Sequence, residues 1–278
     1  MRLAALFLLC GSVASAQEVM GPRVITSRDA PNITATAPTS QGSMWIDSGG
    51  SSPLEKDFAV RVFGEEGLIF RSVGPFDLGA YVNTTDSFDQ HSLDWNRFAR
   101  ASGGMKLVKT FGWKGIDGLA RADVGYTAEH RFMSGESAAA PSANLNYWVG
   151  WNPYAGRFPG SSWGIAALNI SPTELHNTLY VDYVKQGVTV WKDKDHGANR
   201  LLPRLIAFGQ LTASKDAKHY DWNNFTREGG GLEVLVPTEH STFEIGAMYL
   251  YETRTIIPRT GVGAEMFIRF WHGWQNRY

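Results

Sequence analysis

The chain has 278 residues, a formal net charge of -1 and 43% hydrophobic residues. That composition suits a sizeable core rather than a disordered chain. It has no basic surplus of the kind that neutralises phosphates, which argues against nucleic acid as a partner.

Residues 1–17, MRLAALFLLCGSVASAQ, place one positive charge at Arg2, an apolar run from Leu3 to Cys10, and Ala14-Ser15-Ala16 before Gln17. This is the form of a secretory signal peptide cleaved after Ala16. The run is too short for a membrane anchor of about 20 apolar residues, and Leu9 does not suit a lipoprotein site ahead of Cys10. Cys10 is the only cysteine, so a mature chain has no disulfide to staple it, unlike many secreted domains. Residues 17–56 are rich in Pro, Ser, Thr, Gly and Asn and are expected as a flexible lead-in, with Met44–Ile46 as a docking point within it.

From Asp57 the pattern changes to alternating segments separated by turn chemistry. In chain order they are FAVRVF, GLIFRSV, FDLGAYVNT, SGGMKLVKTF, GLARADVGYTAEHRF, NLNYWVGW, WGIAALNI, NTLYVDYVKQGVTVW, PRLIAFGQLTAS, GGGLEVLV, TFEIGAMYLYETR and GVGAEMFIRFW. Period-two alternation is the strand signal, and no segment shows apolar spacing of three and four. In Leu119 to Phe132 the even positions are Ala120, Ala122, Val124, Tyr126 and Ala128, while Arg121, Asp123, Glu129 and Arg131 share the other parity. Several segments sustain alternation for the roughly nine to eleven residues a membrane-crossing strand needs. Aromatics such as Tyr126, Trp191, Tyr251 and Trp271 fall near segment ends, where interface girdles sit.

The predicted fold is therefore all-β: an antiparallel transmembrane β-barrel of about 12 strands, with a range of 10–14, over residues 57–278. It follows the signal peptide (residues 1–16) and the flexible segment (17–56), and it belongs in the outer membrane of a Gram-negative bacterium. A soluble β-sandwich binding carbohydrate through exposed tryptophans such as Trp148 and Trp163 would alternate too, and stands as an alternative.

GVGAEMFIRF places Gly263, Met266, Ile268 and Phe270 in the pattern of a terminal strand read by the barrel-assembly machinery, although WHGWQNRY follows it. The stretch Trp95 to Phe132 and the closing series LLPRLIAFGQLTAS, GGGLEVLV, STFEIGAMYLYETR and RTGVGAEMFIRF resemble the C-terminal barrel of bacterial phage-adsorption outer-membrane proteins and related exopolysaccharide-secretion barrels. These segments cover about half of the mature chain, and the periplasmic helical repeats usual in that family have no counterpart here. The resemblance implies secretion of a polar chain, with a separate periplasmic export partner.

On the barrel reading, Lys106, Arg121, Asp123, Glu129, Arg131, Asp182, Glu244 and Glu265 are expected to line the lumen. Both signs on one lining suit a neutral or weakly charged, hydroxyl-rich substrate such as a sugar chain, or else the charges pair and fill a narrow interior. Catalysis has only weak candidates, His91 and Ser92 within DSFDQHSLDWNRF, as parts of a lipid-modifying site at the rim. Neighbours on one strand face opposite ways, so these two can pair only within a loop. No metal-ligand spacing and no cofactor motif is present. The remaining partners expected are outer-membrane lipid and lipopolysaccharide, the latter through Lys192, Lys194, Lys215 and Lys218.

Overall fold

A computed structural model describes residues 39–151, 157–174, 176–192, 203–238 and 240–277. The expected signal peptide, Lys194 and the start of the lead-in lie outside them. The described residues form twelve strands: β1 (Thr39–Ser52), β2 (Asp57–Val73), β3 (Phe76–Asp89), β4 (Phe98–Trp113), β5 (Ile116–Arg131), β6 (Ser137–Trp151), β7 (Gly160–Leu168), β8 (Thr178–Lys192), β9 (Arg204–Asp216), β10 (Phe225–Pro237), β11 (Ser241–Arg254) and β12 (Arg259–Arg277). Each pairs antiparallel with its sequence neighbours, and β1 pairs with β12 from Thr39–Arg277 to Gly49–Phe267, which closes the barrel.

Closure leaves no unpaired sheet edge, so the backbone is satisfied from within and the side chains alone decide what each face meets. Along β5 the odd positions Asp123, Thr127 and Glu129 are buried, while Val124 and Tyr126 are more than half exposed. On β11 Glu244, Met248, Leu250 and Glu252 point inward, and Phe243, Ile245, Tyr249 and Tyr251 point out. The same inversion runs round the wall, with Leu68, Val82, Leu145, Leu211, Leu232 and Met266 outside and Arg61, Glu65, Lys106, Glu233 and Arg269 inside.

The strand count agrees with expectation, but two assignments change. FAVRVF and GLIFRSV are one continuous strand, β2, because GEEG between them stays paired with both β1 and β3. The lost strand is replaced by β1, which lies inside the stretch expected to be flexible. Its Ser and Gly content hides the strand signal, and two flanking partners supply the pairing that local propensity does not. The sandwich alternative is overturned by closure, and Trp148 and Trp163 are buried inside the barrel.

The two ends differ. At the terminal end, where β1 begins and β12 finishes, Gly74 (φ 60°) precedes Pro75 as in a type II′ turn. Lys114 (φ 45°) and Gly115 (φ 86°) form a turn with both central residues left-handed, as type I′ demands. The opposite end, here the loop end, carries single 3₁₀ turns at Asp94–Asn96, Pro172–Glu174 and Asp221–Asn223.

A β-carbon on Gly231 would meet the backbone of Ala247 and Met248, whereas one on Gly64 would come no nearer than 3.9 Å to Thr84 Oγ1. Overpacking of this kind costs about 1–3 kcal/mol. Gly231→Ala is expected to lower the thermal unfolding midpoint of the folded protein by about 5 °C, and Gly64→Ala to leave it unchanged, as read from the heat-dependent gel mobility shift.

Candidate functional site

The interior is built from two sets of matching parts. Six strands of the first half (β1 to β6) and six of the second (β7 to β12) carry the same short sequences at corresponding places. GSMW at Gly42 to Trp45 matches GSSW at Gly160 to Trp163, and SPLE at Ser52 to Glu55 matches SPTE at Ser171 to Glu174. Asp89 and DWNRFAR (Asp94 to Arg100) match Asp216 and DWNNFTR (Asp221 to Arg227). EHR at Glu129 to Arg131 matches ETR at Glu252 to Arg254, and WVGW at Trp148 to Trp151 matches WHGW at Trp271 to Trp274.

The geometry repeats with them. Ser92 and His219 both have φ 58°, and Lys56 and His176, each just ahead of a loop-end strand, have φ 52° and 64°. The Leu93 amide donates to Asp89 Oδ2 at 3.0 Å, as the Tyr220 amide does to Asp216 Oδ1 at 3.0 Å. The His91 amide donates to Asp57 Oδ1 at 3.0 Å, and the Lys218 amide to Asn177 Oδ1 at 3.3 Å.

These loops set up two equivalent ion networks just inside the loop end. In the first, Arg100 pairs with Glu129, and Arg131 bonds Glu129 Oε1 at 3.3 Å, Glu174 Oε1 at 2.7 Å and Asp94 Oδ2 at 3.4 Å. In the second, Arg227 Nη2 lies 2.6 Å from Glu252 Oε2, and Arg254 bonds Glu252 Oε1 at 2.7 Å, Glu55 Oε1 at 2.6 Å and Asp221 Oδ2 at 3.5 Å. Ser171 and Ser52 donate to the respective glutamates at 2.9 and 2.8 Å. Arg100 lies over Phe98 at 4.5 Å and Arg227 over Phe225 at 4.8 Å. Asp221, outside the strands, is shifted below its ordinary value: burial alone would raise it, but the Ile257 amide and the Arg259 and Arg254 guanidiniums outweigh burial.

Deeper in the barrel the match persists with its charges exchanged. Glu65 bonds Lys106 at 3.1 Å and Arg121 at 2.6 Å, and Arg121 also bonds Asp123 at 2.6 Å. At the corresponding places of the second half Lys185 bonds Glu233 at 2.8 Å and Glu244 at 3.5 Å. One acid between two bases has become one base between two acids, so each cluster stays paired in a low-dielectric interior.

The two DWN turns reach over the loop-end mouth and meet. Trp95 and Trp222 stack with centroids 5.6 Å apart and planes 8° from parallel, and Tyr220 stacks on Trp222 at 4.8 Å. Below this clasp a cavity of about 170 Å³ opens toward the first half, lined by Asn83, Arg121, Asp123, Asn144, Asn146 and Trp163 among others.

Of the residues singled out from sequence, Lys106, Asp123, Glu129, Glu244 and Glu265 are buried on the inner face, and Arg121 and Arg131 are nearly so. The inner face brings Lys106, Arg121 and Asp123 together with Glu65, and Glu129 with Arg131. Asp182 requires correction. It shares parity with exposed Tyr180 and Val184, faces outward, and accepts hydrogen bonds from Tyr180 and, at 2.5 Å, from Tyr147. Its segment has apolar residues on both parities, so alternation does not say which face is inward.

His91 and Ser92 do lie in a loop, yet they turn to different partners. The His91 ring is 3.5 Å from Asp57, and the Ser92 hydroxyl accepts from Arg97 at 2.7 Å. No serine–histidine pair is assembled there, and among the described residues no group of His, Cys, Asp and Glu is placed to hold a metal ion. Sequence reasoning missed Arg100, Arg227, Arg254, Glu65, Glu233, Trp95 and Trp222 as interior groups. The repeated DWN-x-F-x-R string was the signal that would have found most of them.

No family model and no curated protein matches the chain. Among solved structures it is similar to the β domain of the Bordetella autotransporter BrkA, with 11% identity and TM-score 0.42 over 85% of this chain and 99% of that one. It is similar also to the KdgM porin in complex with disordered oligogalacturonate, with 7% identity and TM-score 0.38 over 84% and 98%. A third similarity is to LpxR from Salmonella typhimurium, with 8% identity and TM-score 0.36 over 83% and 99%. Likenesses at this level say nothing of what this chain does.

Removing one partner of a buried ion pair costs about 3–5 kcal/mol. Glu129→Leu and Glu252→Leu are each expected to lower stability by about that amount, to similar extents because their surroundings match. The double change Arg100→Met with Glu129→Leu is expected to cost less than Glu129→Leu alone. Urea unfolding of the lipid-reconstituted protein, followed by tryptophan fluorescence, checks all three.

Proposed function

We propose that the protein is an outer-membrane β-barrel, exported by its N-terminal signal peptide, that passes a polar, hydroxyl-rich solute across the membrane. The observation that carries the reading is the inverted distribution of side chains. Apolar residues cover the outside of a closed barrel whose strands run from 9 to 19 residues, and paired charges fill the inside. A barrel in water would hide the first set and expose the second. Lipid supplies the only solvent in which this arrangement is favourable.

The substrate we favour is an exopolysaccharide or a fragment of one, supported by the sequence resemblance and by an interior that presents both signs of charge. On this reading a separate periplasmic chain delivers the substrate, lipopolysaccharide contacts Lys215 and Lys218 at the loop end, and the assembly machinery reads the last strand. We assign the terminal end to the periplasm, the side from which the assembly machinery reads the last strand. The Trp95–Trp222 clasp then closes the extracellular mouth. The lipid-hydrolase reading loses its support because His91 and Ser92 have separate partners.

Single-channel recording in planar bilayers tests the proposal. Wild-type protein is expected to give small, infrequent conductance steps. An offset aromatic stack contributes about 0.5–1.5 kcal/mol, so Trp222→Ala is expected to raise the open fraction roughly three- to tenfold, with little more from adding Trp95→Ala. Insertion with no current from either wild type or the double variant would contradict transport.

A further inference from the structure

The interior carries two matching pairs of tryptophans, Trp148 with Trp163 across β6 and β7, and Trp271 with Trp45 across β12 and β1. Each pair gathers an apolar cluster. Trp148 and Trp163 pack with Leu179, Val181, Tyr183 and Phe225, and Ile165 and Ile170 lie against them. Trp45 and Trp271 pack with Phe63, whose ring stacks on Trp45 with centroids 5.7 Å apart. The cavity beneath the clasp touches both clusters, through Trp45 and Phe63 on one side and Trp148, Trp163 and Ile165 on the other, and Leu119 completes its apolar surface. Phe63, Leu119 and Ile165 share parity with the buried Glu65, Asp123 and Trp163, yet are themselves only partly buried. What remains exposed of them faces the cavity.

The polar groups on the same lining are largely spent on one another. Arg121 bonds Glu65 and Asp123, Arg100 pairs with Glu129, Ser102 bonds Thr127 at 2.9 Å, and Asn83 donates to Glu65 at 3.5 Å. A water molecule needs roughly two to four polar partners to be held, and the apolar surface offers it none. The matched positions show how the space arises. Counting from Glu129 and Glu252, Thr127 and Gly125 stand where Leu250 and Met248 do, and counting from Trp148 and Trp271, Asn144 stands where Phe267 does. In the second half Met248, Leu250 and Phe267 pack with Ile206, Phe208 and Leu235 into one buried apolar cluster. The first half carries smaller groups at those places, and the cavity opens beside Thr127 and Asn144.

We propose that the cavity is a binding site for a small uncharged aromatic molecule, about one ring in size. Its volume of about 170 Å³ suits that size, since an apolar cavity of about 150 Å³ takes benzene. Burial of the ring supplies the driving force, and the indoles and the Phe63 ring offer faces and edges for offset or edge-to-face stacking. A carboxylate on the ring would meet Glu65 and Asp123, and Arg121, the base beside them, is already paired with both. A sugar would bring its hydroxyls to Phe63, Leu119 and Ile165, where they would lose the partners they have in water. The bound molecule is therefore not the polar solute of the transport reading. The site goes beyond that reading and requires only the closed barrel.

The test is titration of the full-length protein in lipid vesicles with toluene, benzoate and glucose. Tryptophan fluorescence reads occupancy, and the rise of the unfolding midpoint in the heat-dependent mobility shift reads it independently. Toluene is expected to give a saturable change in both, benzoate a response at least tenfold weaker, and glucose none. Leu119→Trp and Ile165→Phe fill the space from two strands, and each is expected to weaken toluene binding at least tenfold. Val124→Leu, on the lipid-facing wall, is expected to bind as wild type, which separates the site from toluene dissolved in the bilayer. Folding of each variant is checked by the same mobility shift, and Leu119→Phe stands in for a filled variant that fails to fold. No saturable change with toluene, benzoate or glucose bound as tightly as toluene, or undiminished binding by a folded, filled variant would overturn the proposal. Toluene binding without conductance would leave the site and remove the channel, and conductance without toluene binding would do the reverse.

Discussion

Everything in this molecule depends on the pairing of β1 with β12. Without that ladder the sheet has two long open edges, and neither an apolar exterior nor a charged interior can exist. With it, the side-chain period of two becomes a sorting rule. Each strand sends alternate residues to one of two media, and a shift of register by one residue would exchange the faces. The interior then contains many ionisable groups in a confined space, and the structure answers with ion pairs, between adjacent strands for Arg227–Glu252 and two strands apart for Lys106–Glu65 and Lys185–Glu233.

The ion networks explain why loops and strands form one unit. Arg131 and Arg254 sit at strand ends, yet each is gripped by a glutamate from a neighbouring hairpin turn and by the aspartate of a DWN turn. The loops are therefore held down at their bases, which aims Trp95 and Trp222 at each other over the mouth. The exchange of charge between Glu65–Lys106–Arg121 and Lys185–Glu233–Glu244 shows what is preserved at depth: contact between opposite charges rather than the identity of any one residue.

Much of this was readable in the chain, for identifiable reasons. β5 alternates cleanly because one face meets an apolar medium along nearly its whole length, so sequence reasoning places Val124 outside and Glu129 inside as the structure does. β1 was hidden because Ser and Gly contribute little to either face, and its strand state comes from its two partners. Asp182 was misplaced because its strand carries apolar residues on both parities, and two tyrosine hydroxyls make an outward carboxylate tolerable. Period-two reasoning looks only at neighbours and cannot see that Arg100 and Arg227 are counterparts. A comparison of the chain with itself would have shown it.

The most direct test of the inside-out account is a single-cysteine scan along β5, from Ala120 to Arg131, in the protein reconstituted in lipid vesicles. Each site would carry an environment-sensitive fluorophore, with quenching by a lipid-confined agent and by a water-soluble one. The account predicts strict alternation: Ala120, Ala122, Val124, Tyr126 and Ala128 quenched from the lipid, and Arg121, Asp123, Thr127 and Glu129 shielded from it. Quenching of the even sites by the water-soluble agent, or no alternation between the two sets, would contradict the membrane barrel and the interior site built within it.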